Sequence, residues 1–386
     1  MTHSTFRIVA IGMASLAIAM GIGRFAFTPL LPMMQADGLI DISGGGVLAS
    51  IHFIGYLAGA ALAAHIPVPP KTVLRLSLAL IGLSTLATGL AGNFVLWAVF
   101  RFLCGLCSAF TLVLVGNFYI KHLAAIGRPQ GQGWIFSGVG AGIALAGLGT
   151  LALMAVGIGS AQGWVIFGVV SLMAAAAIGL RIGEEVESGV SERPKTAAQR
   201  TPVDWRAVIA YGTAGMGYII PATYLPVMAR EIVSSPFLFG LAWPVFGMAA
   251  FFSTLIAARL QARLSNRKIW AAGQFVMAAG LLLPVLFPSL VTIIIAGICV
   301  GGTFMIITMM GMKEAHRIAH ADDVMRHIGV LTVAFAGGQI VGPVLAAELH
   351  DLAGSFSPSL VLTSIALVAT AAALVLRPDD HRTVRA

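Results

Sequence analysis

Hydrophobic residues in this chain fall into twelve runs separated by short polar stretches: 8–33, 44–65, 71–91, 94–119, 133–157, 161–181, 205–229, 236–258, 268–287, 289–312, 326–349 and 355–376. Each is close to the ~20 helical residues needed to cross a hydrocarbon core about 30 Å thick. Backbone polar groups in lipid must be satisfied within the chain, so the runs predict helices. The first run extends to Pro32, beyond the ~7–15 residues of a signal-peptide core, and reads as an uncleaved first span. The predicted fold class is an all-α integral membrane protein of twelve transmembrane helices.

Polar residues between the runs set the orientation. All but three of the 23 Lys and Arg residues fall at the termini or in the even-numbered connections. The three exceptions are Arg24, Arg101 and Arg230. Basic residues mark cytoplasmic loops, so both termini are expected on the cytoplasmic side of the cell (inner) membrane. The longest connection, rich in Glu, Arg, Ser and Thr, divides the chain into 1–181, a polar linker 182–204, and 205–386.

The two halves echo one another. Gly21-Ile-Gly23 followed by Leu31-Pro32 matches Gly215-Met-Gly217 followed by Leu225-Pro226, and Gly138-x3-Gly142 matches Gly338-x3-Gly342. A repeat in the same direction predicts two pseudo-symmetric six-helix bundles related by an axis along the membrane normal. These glycines, with Pro32 and Pro226, are candidates for close helix packing and for conformational change.

Composition agrees with this reading. Charged residues make up 10% of the chain and mean hydropathy is +0.94, against about 25% charged in a soluble domain. The net charge of +8 belongs to the loops, and no basic run is interleaved with aromatics, so no nucleic-acid partner is expected. The motif Cys104-Gly-Leu-Cys107 lacks the second pair or His that a metal site needs. No hydrolase, zincin or nucleotide-binding motif is present. The chain is therefore not expected to be an enzyme, and no metal or cofactor is expected.

Twelve spans in two parallel halves joined by a polar loop resemble the major facilitator superfamily. Arg101-x3-Gly105 in the fourth span is similar to that family's Arg-x-x-x-Gly signature. Arg259-Leu-Gln-Ala-Arg263-Leu-Ser-Asn-Arg267-Lys268 is similar to its basic loop, without the usual Asp. The first-half counterpart, Gly59 to Lys71, is eroded, with His65 near the expected acid. Gly21 to Met34 and Ala334 to Pro343 resemble the YbfB/YjiJ-type branch. The resemblance implies a secondary transporter that works by alternating access and can function as a monomer in the bilayer, with Arg263, Arg267 and Lys268 in a cytoplasmic gating loop.

Candidate chemistry gathers at one depth. At 1.5 Å per residue, Arg24 lies about 5 Å and Arg101 about 8 Å from the centres of their spans, both toward the outside. His52 shares that layer, and Tyr218, the repeat mate of Arg24, lies near the midplane. An arginine there costs about 2.5–3.5 kcal/mol on insertion. All Asp and Glu fall in loops or near span ends, so each arginine needs an anionic ligand, water or helix carbonyls. The expected substrate is a small organic anion, a carboxylate, held by Arg24 and Arg101 with Phe27, Thr28, His52, Tyr56, Tyr218 and Gln339. The bland reading of each is interhelical hydrogen bonding or packing. Protons are the expected coupling ion, through His52 or the substrate's own carboxyl group. The alternative is a proton-driven exporter of amphipathic or toxic compounds. A membrane receptor without transport is a third reading, disfavoured by so short a linker.

Overall fold

The computed structural model describes residues 3–63, 65, 68–128, 131–182, 201–261, 263–320 and 323–376. Positions 183–200 of the expected linker lie outside the described residues. All regular structure among the described residues is helical. The long helices are α1 (Thr5–Ala36), α2 (Ile42–Leu62), α3 (Pro70–Leu90), α4 (Phe94–Tyr119), α5 (Gly131–Ala155), α6 (Ser160–Gly179), α7 (Trp205–Ile232), α8 (Pro236–Gln261), α9 (Asn266–Leu286), α10 (Leu290–Ile318), α11 (Val324–Ala353) and α12 (Ser357–Val375). Eleven are both long and apolar enough to cross a membrane. The other, α7, has 28 residues but also three tyrosines, three glycines and two prolines, which dilute its hydropathy.

Local chemistry starts and stops these helices. Asp41 and Asn93 cap α2 and α4 by accepting from the amides of Gly44 and Leu96. Ser289 and Thr292 form a reciprocal capping box on α10. Gly354, at φ 68°, ends α11 in the left-handed conformation that glycine adopts without a Cβ penalty. Helix α10 runs six residues past the apolar run that predicted it, which brings Glu314 inside a helix, with its side chain almost fully buried.

Helix α1 is broken. It is α-helical to Leu16, widens to a π-helix over Ala17–Ile22, and resumes as α-helix at Phe27. The amides of Gly23 and Phe25 reach back five residues, to the carbonyls of Ile18 (2.8 Å) and Met20 (3.2 Å). Pro29 has no amide to donate back toward Phe25, so the ladder is interrupted where Arg24 sits.

Glycines let particular helices meet backbone to backbone. A Cβ on Gly21 would lie 2.3 Å from the backbone of Gly142, and one on Gly138 would lie 2.1 Å from the carbonyl oxygen of Met13, so α1 and α5 touch directly. In the second half Gly338 meets the carbonyl of Gly212 and Gly215 that of Phe335, at 2.1 and 2.3 Å, joining α7 to α11. Gly140 and Gly247 bring α5 against α8 across the halves in the same way. Helices α2 and α11 also cross, where the Ser50 hydroxyl donates to the carbonyl of Ile340 at 2.6 Å.

Candidate functional site

Arg24 follows directly from the break in α1. The turn over residues 23–26 places its guanidinium among the rings of Phe25, Phe53, Tyr56 and Tyr218, at 4.9, 4.8, 5.1 and 6.0 Å from their centroids. A desolvated cation–π contact is worth about 2 kcal/mol, comparable to the insertion cost of the charge. The guanidinium donates to the Tyr218 hydroxyl, which also accepts from the Gln339 amide. Arg24 is only 5% exposed, and neither its Nε nor the Gln339 Oε1 has a hydrogen-bond partner. Among the described residues it has no carboxylate partner.

These groups face a cavity of about 100 Å³ between the two halves. Arg24, Tyr56, Tyr218 and Gln339 line it. So do Tyr211, Phe304, Phe335 and three methionines, Met20, Met305 and Met312. From the Arg24 layer the lining runs toward the end of the molecule that carries the termini, through Phe136 near the start of α5, Tyr211 near the start of α7 and Met312 near the end of α10. Among the described residues, Arg24 is the only charged one in the wall.

The opposite end is tied shut across the halves. Thr28 donates to the carbonyl of Ala222. The Tyr224 hydroxyl, 3.0 Å from the Pro343 carbonyl of its own half, also lies 3.3 Å from the carbonyl of Ile42 across the halves, and Arg230 donates to that of Pro32 at 2.7 Å. Outside these ties lies a polar hollow of about 490 Å³, lined by residues including Asp41, Arg230, Glu231 and Asp351.

Four of the eight sequence candidates stay outside the cavity wall. Arg101 donates to the carbonyls of Gly23 and Arg24, at 3.3 Å each, and lies 4.6 Å over the Phe27 ring. This is the helix-carbonyl role left open by the sequence, in place of a position in the cavity wall beside Arg24. Gly105 of the same signature packs on the His52 carbonyl, where a Cβ would approach to 1.9 Å. Phe27 packs against Trp164, and Thr28 belongs to the closed end. His52 is fully buried edge-on to Phe53, and neither ring nitrogen has a hydrogen-bond partner.

Of the basic loop, Arg263 and Lys268 are exposed and Arg267 is engaged. Arg267 pairs with Asp204 at 2.7 Å and with Glu314 at 2.5 Å, and Glu314 also binds Arg317 at 2.7 Å. The acid missing from the loop motif is thus supplied by the N-cap of α7 and by the extension of α10. Sequence reading missed both, because neither lies near the motif. It also missed Phe304, which has no distinguishing pattern around it. Nearby, Asp323 accepts from Arg326 (2.7 Å) and from the amide of Thr201 (2.8 Å), fastening the chain before α7 to the start of α11. The Arg326 guanidinium holds the Asp323 carboxyl well below the usual carboxylate range.

Comparisons with known proteins fit this geometry. Residues 16–376 match the family described as "Uncharacterised MFS-type transporter YbfB". No curated protein matches the sequence. Among solved structures, the fold is similar to a nucleoside transporter, NupG, at 12% identity and TM-score 0.72, over 96% of this chain and 99% of that one. It is also similar to a bacterial homolog of the human lysosomal transporter Spinster in an inward-facing and occupied conformation, at 14% identity and TM-score 0.70, over 97% and 96%.

Proposed function

Because the chain belongs to the YbfB-type family of major facilitator transporters, and is a multi-pass membrane transporter rather than an enzyme, we propose that it moves a small organic anion by alternating access. The observation that carries this reading is the Arg24 guanidinium. It is buried, faces the cavity between the halves, has an unpartnered Nε, and among the described residues has no carboxylate to neutralise it. A carboxylate on the substrate supplies charge-assisted hydrogen bonds of the kind a guanidinium makes best. Tyr56, Tyr218 and Gln339 complete the site.

The two units, 1–181 and 205–386, rock about this layer, with the glycine-lined α5–α8 contact as a bearing. With both termini on the cytoplasmic side of the inner membrane, the cavity described above is the inward-facing one. A single copy contains the whole site. A bound anion puts a negative charge on this layer, which favours a proton on a nearby base; we assign that base to His52. The exporter reading draws on the apolar, methionine-rich wall, but an uncharged amphipathic cargo leaves Arg24 unmatched.

Uptake of radiolabelled carboxylates into proteoliposomes tests the reading. Uptake of at least one should saturate, respond to an imposed pH gradient, and fall to background in Arg24→Ala. Undiminished anion uptake by that variant would sink the assignment.

A further inference from the structure

The wall of the cavity has a second property besides its one charge. Phe335, Tyr218 and Phe304 form a column of near-parallel rings. Phe335 and Tyr218 are 5.5 Å apart at 16°, and Tyr218 and Phe304 are 4.9 Å apart at 13°. Tyr211 extends the column, with its centroid 4.7 Å from that of Phe335. The Arg24 guanidinium lies 6.0 Å from the centre of the Tyr218 ring. Tyr218 lines the cavity between these rings, and its hydroxyl is the atom that Arg24 and Gln339 address.

Ring edges carry positive charge density and ring faces negative. Aromatic rings therefore gain from offset or edge-to-face contact beyond the area they bury, so a wall lined by Phe304, Tyr218 and Phe335 prefers another aromatic ring to a saturated ring of equal size. The space available sets an upper limit on the guest. At about 100 Å³ the cavity is smaller than the ~150 Å³ that holds benzene, so it admits one ring only as the halves part further, and nothing larger. Among the described residues Arg24 is the only charge in the wall, so a second negative charge on the ligand would be buried without a partner, which is costly. Resting on the anion reading above, we propose that the transported anion is an aromatic monocarboxylate: one flat ring laid against the Phe335–Tyr218–Phe304 column, with its carboxylate on Arg24.

Four probes that differ in one property each test this on the detergent-purified full-length protein, by ligand-induced shift in thermal stability and by titration of intrinsic fluorescence. They are benzoate, cyclohexanecarboxylate (same charge, saturated ring), terephthalate (same ring, two charges) and benzamide (same ring, no charge). Benzoate should bind about tenfold or more tightly than cyclohexanecarboxylate and terephthalate, and benzamide should give no shift. Phe335→Leu should keep cyclohexanecarboxylate binding and lose most of the preference for benzoate. Equal or tighter binding of cyclohexanecarboxylate, or a benzoate preference that survives in Phe335→Leu, overturns the aromatic assignment and leaves the anion reading standing. Equal binding of terephthalate overturns the single-charge argument. Benzamide binding as well as benzoate overturns the anion reading itself, and no shift with any probe overturns the proposal.

Discussion

Arg24 and Tyr218 occupy equivalent positions in the two sequence repeats, 194 residues apart, and are hydrogen-bonded to each other. Thr28 and Ala222, four residues further on, repeat the relationship at the same separation. Residues equivalent by the repeat meet in this way where α1 and α7 face each other across the pseudo-symmetry axis. The halves have diverged at this point: one supplies a cation and the other its acceptor.

Tyr218→Phe removes the acceptor and keeps the ring. A hydrogen bond to a charged group is worth about 1.5–3 kcal/mol, roughly tenfold or more in an equilibrium between conformers. The variant should populate the conformer open at the end away from the termini about tenfold more than the native protein does. Spin-label distances across that end report it, and an unchanged distance distribution would show that the bond does not hold the halves.

Arg101→Lys keeps a positive charge but loses the planar fork that reaches two carbonyls. Leaving one or both carbonyls without a donor should cost about 1–3 kcal/mol of stability, read as a lower Tm, while anion affinity changes little. A variant with native Tm and lost affinity would move Arg101 back into the binding site.

Two neighbouring glycines make a matched pair. A Cβ on Gly338 would lie 2.1 Å from the Gly212 carbonyl oxygen, whereas one on Gly337 meets nothing within 4 Å. Gly338→Ala should destabilise by about 1–3 kcal/mol or more through overpacking. Gly337→Ala should be neutral or stabilising by up to about 1 kcal/mol, as expected for alanine in a helix. Tm values measured side by side decide it, and equal effects would mean that α7 and α11 are not in backbone contact.

Asp323 predicts a pH dependence. Its carboxyl titrates lower in the folded protein than its ordinary value of 3.8. The stabilisation is therefore fully present above that value and is lost as pH falls toward the folded one. The Tm difference between the native protein and Asp323→Asn should be constant from about pH 5 to 8 and shrink below about pH 4. A difference that grew on acidification would contradict the pairing.

The spans were legible because lipid leaves few options for a backbone, and a 20-residue apolar run has few other readings. Arg24 stood out for the same reason, as a charge inside such a run. Its contact with Tyr218 was half legible: the repeat identified the two as mates, but only the packing of α1 on α7 turns mates into partners. The roles of Arg24 and Arg101 could not be separated by depth alone. The difference arises from the break in α1, which releases the carbonyls that Arg101 takes, and a break depends on hydrogen bonds that hydropathy does not record. Asp204 and Glu314 were hidden because a salt bridge between segments leaves no local pattern around Arg267.

The interruption in α1 has a mechanical meaning. Its first rod, up to the π-helical segment, is pressed against α5 through Gly138, Gly142 and Gly21. Its second rod, from Phe27 onward, is bonded to α7 through Thr28 and Pro32. One helix is thus attached to opposite halves of the protein at its two ends. Any displacement of one half against the other has to bend the four residues between the rods, and Arg24 is one of them. The charge that faces the cavity thus sits at the elbow of a two-part helix, so a displacement of one is felt directly by the other.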